Sequence, residues 1–261
     1  RDSVIKAGME TQFSPTEALA GMQQLVTAGQ TIQDSAKTLI PVMDLAAGSL
    51  GNLSVEGAAD AIIGTMNSYQ MSADQATGVT NKLLRITQLT NFATNDFAGA
   101  LAKAASNGAM FGTELDDVLI TIGLLRNANI DASSAGTGFR ESIRRVATMP
   151  AQQDKLKALG IETYDEMGKM RSIVEIINDT VTAYSKVNTR ASATERDRAL
   201  GLIFGSRGLL AYNAIMRSSY KTMKDGTQVE YQGIEAVKRM RAESYMAGGE
   251  IEKLRDLTKD W

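Results

Sequence analysis

The chain of 261 residues contains no cysteine, no histidine, only 3 prolines and few aromatic residues. Without cysteine it cannot build disulfides, thiolate metal sites or a thiol nucleophile. Without histidine it cannot form a Ser-His-Asp triad, a histidine-ligated metal site or an imidazole proton shuttle. The composition therefore favours a structural or interaction protein over an enzyme.

Long hydrophobic runs are also missing. The strongest apolar run, residues 118–125, contains Thr121 and Gly123 and falls well short of the ~18 residues of a membrane span. Hydrophobic residues make up 43% of the chain and charged residues 22%, as in globular proteins. The sequence opens on Arg1 and not on methionine, so we expect it to be a segment of a longer protein.

The first half of the chain repeats a pattern of helix starts, because Ser or Thr followed three residues later by an acid or amide is typical of a capped helix. One set of predicted N-caps is spaced 40 residues apart, at Ser14, Ser54, Thr94 and Ser134. A second set is spaced 41 residues apart, at Thr31, Ser72 and Thr113. Apolar residues between the caps recur at helical spacing. The pattern predicts antiparallel helical hairpins of about 40 residues each.

Later segments carry different signals. Pro41 is expected to kink or break the helix that starts near residue 32. Pro150 should open a short helix that Gly160 ends. Turn residues at 164–168 predict a small ribbon near 161–171. Beyond it we expect helices at 172–187, 194–204 and 207–224, a turn at 225–226, and a final polar helix to residue 261.

The sequence thus predicts an all-α fold: repeated antiparallel helical hairpins followed by longer helices, with a small β-ribbon near 161–171. We divide the chain into a helical-hairpin repeat region at 1–149, a second helical part at 150–224 and a polar C-terminal helix at 225–261. That last helix could begin a rod or coiled coil.

Charge is unevenly distributed. Residues 1–130 hold 7 basic and 12 acidic residues, net −5, whereas residues 131–261 hold 21 basic and 18 acidic residues, net +3. One interpretation is a tightly packed first half followed by more solvated helices. The other is a head-to-tail contact between copies, acidic half to basic half. Neither half is basic enough to predict specific nucleic-acid recognition.

Three motifs could suggest chemistry, and each has a simpler explanation. Gly136-Thr-Gly138 lacks the third glycine of a dinucleotide fingerprint and a preceding strand, so we expect a tight helix–helix contact.

Glu141-Ser142 resembles the catalytic dipeptide of lytic transglycosylases. Neighbouring arginines at 140, 144 and 145 should, however, lower the pKa of Glu141, whereas a general acid needs it raised. The adjacent Asp116 and Asp117 should point in different directions on a helix and make a poor metal site.

Several segments together resemble the core region of phage tail tape-measure proteins, the phage minor tail protein family. These segments are AGTGFR at 135–140, ALGI at 158–161, YDEMGKMR at 164–171 and LIFGSRGLL at 202–210. FSPTEAL at 13–19 and the repeated hairpins up to residue 130 also match. The resemblance covers residues 5–222, and its specificity comes from the order and spacing of the segments.

The resemblance implies a structural virion protein that lies in the tail lumen, helps set tail length, anchors at the tail tip or baseplate and is released during genome ejection. The implied partners are further copies of itself, as a trimer or hexamer, the tail tube protein, tip or baseplate hub proteins and tail assembly chaperones. Assembly would take place in the host cytoplasm. No matching residue is a known catalytic, cofactor or metal position, so we assign no such site, no cofactor and no enzymatic activity.

Two other functions remain open. A generic, non-enzymatic α-helical scaffold or adaptor is the main alternative, and a lytic transglycosylase-like murein hydrolase is the weaker one. Within the tape-measure interpretation, folded hairpins advance along a stack by only about 8–10 Å per helix layer. A straight helix of 40 residues spans ~60 Å. We therefore expect the hairpins to form an anchoring or oligomerising module rather than the ruler itself.

Overall fold

The computed structural model describes residues 5, 11–49, 52–90, 97–187, 193–224, 227–245, 248–249 and 251. These residues include eleven bounded α-helices, one short 3-10 helix and a two-stranded antiparallel sheet. The helices are α1 Pro15–Thr27, α2 Ile32–Gly48, α3 Val55–Ser68, α4 Ala76–Leu89, α5 Phe97–Met110, α6 Leu115–Asn127, α7 Ala132–Thr148, α8 Pro150–Ala158, α9 Ile173–Val187, α10 Ala193–Arg217 and α11 Gly233–Tyr245. The strands are β1 Ser219–Lys224 and β2 Thr227–Gln232, and the 3-10 helix is Ala73–Gln75.

The helices stack in two layers. The first layer contains α1, α3, α5, α7 and α10, each packed against the next, and the second contains α2, α4, α6 and α11 in the same manner. Consecutive helices such as α1 and α2, or α5 and α6, join the layers as hairpins. The predicted all-α fold of repeated helical hairpins is confirmed.

Helix caps set the starts of the early hairpins. Ser14 and Glu17 form a reciprocal capping box: Ser14 N–H donates to Glu17 Oε2 at 2.8 Å, and Glu17 N–H donates to Ser14 Oγ at 3.3 Å. Thr31 and Ser54 accept from backbone N–H groups three residues on, as predicted. Ser72 precedes the 3-10 helix that leads into α4. Each of these four helix starts was identified from the sequence.

Two predicted caps are wrong, and one cannot be compared. The cap of α7 is Asp131, which accepts the N–H of Ser134 at 2.9 Å, so the helix starts three residues earlier than predicted. The cap of α6 is Glu114 rather than Thr113. In both places the chain offers two polar residues close together, and the spacing rule selected the wrong one. Thr94 lies outside the described residues.

Small side chains let the layers approach closely, and the core between them is aliphatic. Alanines 58, 59, 61, 100, 104 and 105 on α3 and α5 are almost fully buried. Larger side chains fill the remaining space, among them Leu39, Ile62, Leu119 and Phe139. Pro41 is buried within α2 without ending it, and its carbonyl oxygen accepts the Thr80 hydroxyl of α4 at 3.1 Å. Pro41 was expected to kink or break the helix, and of these two outcomes the break is wrong.

The second part of the chain departs further from its prediction. The ribbon near 161–171 is reduced to a single antiparallel bridge between Tyr164 and Met170. The helices predicted at 194–204 and 207–224 form α10, which is interrupted at Gly205 with φ +80° and ends at Arg217. Pro150 opens α8 as predicted, and Gly160 follows it with φ +75°.

The sheet is the main difference in secondary structure. Residues 219–224 were predicted as helix and 227–232 as the start of a polar C-terminal helix, yet they pair as β1 and β2, with Lys224 opposite Thr227. Alternating Tyr220, Thr222, Val229 and Tyr231 around Asp-Gly is a hairpin signal that the helical interpretation overlooked. The turn residues 225–226 lie outside the described residues. The helix predicted from residue 225 thus begins at Gly233, and α11 packs against α4 and α6.

Candidate functional site: a buried ionic seam

Two adjacent carboxylates, Asp116 and Asp117, occupy the first turn of α6 and are almost fully buried. The helix N-terminus favours negative charge there, because the first backbone N–H groups carry partial positive charge. Burial of a carboxylate is costly unless cations or hydrogen-bond donors face it. These two residues therefore identify a site where several elements must supply partners.

Asp116 joins two other helices of its layer. Lys82 Nζ on α4 donates to one carboxylate oxygen, Oδ2. The hydroxyl of Ser244 on α11 donates to the other, Oδ1, at 2.7 Å. The two carboxylate oxygens of Asp116 thus connect α6 to α4 on one side and to α11 on the other.

Asp117 faces a different set of groups. Arg241 Nε on α11 lies 2.7 Å from Asp117 Oδ1, and Arg241 Nη1 donates to Glu175 Oε1 on α9 at 2.5 Å. Burial raises the pKa of Asp117 to about 6; Arg241 opposes that shift, and the charges of Glu175 and Asp116 add to it. The expectation that the two aspartates point to different surroundings is confirmed.

Two further contacts join α4 to the end of the chain, one from α11 and one from Ile251 beyond it. Arg85 Nη2 on α4 donates to Glu243 Oε2 at 2.6 Å. Asn81 Oδ1 accepts the backbone N–H of Ile251 at 3.1 Å, and the Ile251 side chain is buried. We call the following set the ionic seam: Lys82, Arg85, Asp116, Asp117, Glu175, Arg241, Glu243 and Ser244. The seam connects α11 and α9 to α4 and α6.

The seam consists of paired groups that connect helices. Each carboxylate named in it has a cationic partner. Among the residues that the structure describes, no group of three or more acidic side chains is arranged to hold a metal ion. The small pocket beside Asp117 is lined by aliphatic residues, among them Ile120 and Val237, and by the polar or charged Ser172, Glu175, Lys238 and Arg241.

Sequence reasoning singled out Asp116 and Asp117 but missed the rest of the seam. Glu175, Arg241 and Ser244 lie far from α6 in the chain. Arg241 and Ser244 occur among other charged or polar residues typical of an exposed helix, and Glu175 is an acid flanked by apolar residues of α9. The one available signal was the acidic pair itself, placed inside an otherwise apolar helix whose residues 118–125 are all buried.

Glu141, the candidate general acid, lies elsewhere, on α7. Arg144 Nη2 donates to Glu141 Oε1 at 3.0 Å, and Arg145 Nε donates to the same oxygen at 3.0 Å. The hydrogen bonds from Arg144 and Arg145 hold the pKa of Glu141 below its ordinary value. The predicted effect of the arginines is confirmed, and it keeps this carboxylate ionised at neutral pH, the wrong state for a proton donor.

The glycine motifs serve helix packing. A β-carbon at Gly136 would lie 2.6 Å from the carbonyl oxygen of Ala100, so α5 and α7 touch backbone to backbone there. A β-carbon at Gly208 would lie 2.9 Å from Ser142 Oγ on α7. The predicted tight helix–helix contact at Gly136 is confirmed. The predicted separation of two helices between residues 204 and 207 is also confirmed, because Gly205 interrupts α10.

No described helix has the length and apolarity needed to cross a membrane.

Comparison with known proteins connects this fold to phage tails. The chain is 28% identical to the tape measure protein of Pneumococcus phage Dp-1 over 241 residues. This aligned region covers 92% of this chain and 20% of that protein. The chain is 24% identical over 220 residues to the probable tape measure protein of Escherichia phage P2, covering 84% of this chain and 26% of that protein. The chain therefore spans about a fifth to a quarter of the length of these curated relatives.

No solved structure matches the chain significantly. The family model described as phage-related minor tail protein matches residues 1–205, which include the hairpin repeats, the close contact at Gly136 and the acidic pair of the seam. The resemblance seen in the sequence is confirmed: the chain belongs to the phage-related minor tail protein family.

Proposed function

We propose that this chain is a structural segment of a phage tail tape-measure protein, folded as an anchoring module. The match to the minor tail protein family over residues 1–205 carries the proposal, supported by two relatives that are named as tape measure proteins. It is a component of the virion tail. Its partners are the tail tube protein, the tip or baseplate hub proteins and the tail assembly chaperones, and it lies in the tail lumen.

The stacked hairpins support a division of labour within the full-length protein. Layers of packed helices are about 8–10 Å apart, so the folded repeats cover little axial distance per residue. A continuous helix of 40 residues covers ~60 Å. Tail length is therefore measured by helical regions outside this module, which anchors the ruler at the tip or baseplate and leaves with it during genome ejection.

The proposed role is mechanical rather than catalytic. Glu141 is engaged by two arginines, and its lowered pKa makes it unsuitable as the general acid of a murein hydrolase. The ionic seam holds helices together through paired groups. Both observations favour a module whose task is to keep a defined shape.

Placement in the tail can be tested by chemical labelling. Met167 is highly exposed on the turn between Tyr164 and Met170, and the segment has no native cysteine. In a phage that carries Met167→Cys, we expect a maleimide reagent to leave this cysteine unmodified in intact tails and to modify it after ejection. A matched Leu119→Cys variant, at a buried position, should stay unmodified in folded protein. Modification of Met167→Cys in intact virions would contradict a lumenal location.

The division of labour has a separate test, tail length measured by electron microscopy. A Gly/Ser insertion in the turn between β1 and β2 should leave the tail length unchanged, because the folded module does not measure it. Removal of 40 residues from a long helical region elsewhere in the full protein should shorten the tail by ~60 Å. A tail lengthened in proportion to the insertion would show that the module is part of the ruler.

A further inference from the structure

The turn between α8 and α9 presents an apolar side chain to solvent. Met167 is 88% exposed, more than any other large hydrophobic residue that the structure describes. Isolated apolar side chains are common on protein surfaces and need no partner. Met167 differs from them in two ways. The turn that carries it is held in one shape, and a second exposed methionine lies beside the neighbouring turn.

Hydrogen bonds within the turn hold its backbone. One carboxylate oxygen of Asp165, Oδ1, accepts the N–H of Met167 at 3.0 Å and the N–H of Lys169 at 2.8 Å. The backbone N–H of Asp165 donates to the carbonyl oxygen of Lys169 at 2.8 Å, and that of Gly168 donates to the carbonyl oxygen of Asp165 at 3.0 Å. Gly168 has φ +76°, which glycine adopts without a steric cost. Met167 therefore lies on a closed turn and not on a loose loop.

Three contacts attach this turn to both helix layers. The hydroxyl of Tyr164 donates to the carbonyl oxygen of Ala147, near the end of α7, at 3.0 Å. The ammonium group of Lys169 pairs with the carboxylate of Glu114, which caps α6. A β-carbon at Gly112, between α5 and α6, would lie 3.3 Å from Lys169 Cγ. The position of the turn is thus set by the folded module.

A second exposed methionine lies at the same end of the molecule. Met110 is the last residue of α5 and is 76% exposed. It is two residues before Gly112, which contacts the turn at Lys169. Methionine side chains are flexible and polarisable, so they adapt to the shape of a partner. We call Met110, Tyr164 and Met167, all exposed, the methionine patch.

Negative charge borders the methionine patch. Glu162 and Glu166 are exposed, and neither has a cationic partner among the residues that the structure describes. Asp165 accepts hydrogen bonds from its own turn and keeps its charge. Lys169 already pairs with Glu114. A complementary surface would therefore combine apolar side chains with lysine or arginine, since opposite potentials attract.

We propose that the methionine patch docks into a cleft of another protein, one with an apolar floor and a rim of lysine or arginine side chains. The inference rests on the proposed function, because it names the surface by which the anchoring module holds its neighbour in the tail. A turn that is already fixed loses little conformational freedom on binding. Burial of Met167 and Met110 in the cleft then supplies most of the affinity.

Photo-cross-linking in assembled tails tests this contact in the full-length protein. The probe is benzoylphenylalanine at position 167, and the control is the same probe at position 216. Met216 is exposed on α10, whose last residue lines a cavity with Asn127 at the opposite end of α6. We expect illumination to join position 167 to a different tail protein, at a peptide with both apolar and basic residues. Position 216 should not give this product.

Two results of the cross-linking would overturn the proposal. One is the absence of any product from position 167 in complete tails. The other is a set of products confined to further copies of this chain or to peptides without lysine or arginine. In either case no basic, apolar cleft covers the patch.

Substitutions test the apolar and charged parts of the patch separately. Met167→Leu should leave the yield of complete tails unchanged, whereas Met167→Asp should lower it by about tenfold or more. Glu166→Lys should lower the yield as well. The matched control is Glu56→Lys, at an exposed acid in the first turn of α3, which should not. Normal yields from both Met167→Asp and Glu166→Lys would contradict the docking.

Failure of the docking and failure of the proposed function give different results. Tails of normal length and yield that contain the Met167→Asp protein would remove docking at the methionine patch and leave the tape-measure role standing. Absence of the native protein from purified tails would remove that role itself. Urea denaturation of the variants checks that they fold as the native protein does.

Discussion

The hydroxyl of Ser244 donates a 2.7 Å hydrogen bond to the carboxylate of Asp116, 128 residues earlier in the chain. The same carboxylate accepts from Lys82, so one buried residue of α6 connects α4 with α11. Contacts of this kind hold the C-terminal helix against the repeats, although the sequence of that helix is mostly polar. Its docking thus depends on paired polar groups as well as on the apolar Ala236, Val237 and Met240.

Removing the carboxylate of Asp116 should destabilise the protein. In Asp116→Ala, Lys82 and Ser244 both lose this carboxylate as an acceptor, and removal of one member of a buried polar or charged contact costs about 3 kcal/mol. We expect a loss of that order in the free energy of unfolding, measured by urea denaturation. We also expect faster proteolysis after α10, because α11 is released first.

The matched control for Asp116 is the Lys37–Asp74 pair, an ion pair of the same residue types, 2.8 Å between N and O, with exposed side chains. Asp74→Ala should change stability little, since surface ion pairs contribute little. Equal losses in Asp116→Ala and Asp74→Ala would mean that burial in the seam has no special importance.

The sequence predicts hydrogen bonds between nearby residues better than contacts between distant segments. The Ser14–Glu17 capping box involves four consecutive residues, and it was predicted correctly from them. The Ser244–Asp116 bond depends on how two layers align across most of the chain, and no short pattern contains that information. The fold class could be derived from period and caps, whereas the partners inside the seam could not.

Errors in the prediction arose where two local interpretations competed. Residues 219–224 have enough helical character to extend α10, yet they alternate Tyr220 and Thr222 on one side, and a partner strand follows after Asp-Gly. Once β2 supplies the hydrogen bonds, the strand is favoured over continuation of the helix. Pro41 was judged by its local effect alone, but burial in the core keeps α2 continuous around it.

The pH dependence of stability should change in Asp117→Asn. Burial raises the folded-state pKa of Asp117 from an ordinary value of 3.8 to about 6, with Arg241 opposing and Glu175 and Asp116 reinforcing the shift. The folded protein therefore binds this proton more tightly than the unfolded chain does. The favourable contribution of the protonated form is fully present below about pH 4 and is lost as pH rises to about 6.

Asparagine resembles the protonated carboxyl and does not titrate. The stability of Asp117→Asn relative to the native protein should therefore increase from pH 4 to pH 7, by about 3 kcal/mol for a shift of about 2 pH units. Urea titrations at several pH values measure the difference. Asp131→Asn is a control of opposite sign, because hydrogen bonds from Ser134 lower the pKa of Asp131, and that native side chain loses its advantage as the pH falls. If the stability difference between Asp117→Asn and the native protein does not change with pH, the pKa of Asp117 is not raised in the folded protein.

The observed N-cap of α7 differs from the one that the 40-residue spacing of caps predicts. Asp131 accepts the N–H of Ser134 through its side chain, so Asp131→Ala should lower the melting temperature by exposing an unsatisfied helix N-terminus. Ser134→Ala should change it little, since its backbone N–H remains. Calorimetry of the two single variants is sufficient. The opposite order would restore Ser134 as the cap and move the start of α7 three residues along.

Backbone contact between α5 and α7 leaves no room for a methyl group at Gly136. A β-carbon there would meet the carbonyl oxygen of Ala100 at 2.6 Å, and a helix backbone cannot move aside as a flexible side chain can. We expect Gly136→Ala to lower the free energy of unfolding by about 1–3 kcal/mol through overpacking.

Gly64→Ala is the control within another helix of the same layer, where no atom lies within 4 Å of the added carbon. It should gain about 0.5–1 kcal/mol, because alanine is the better helix former. Urea denaturation of both variants gives the comparison, and a gain at Gly136 would mean that the first layer is packed more loosely than its contacts indicate.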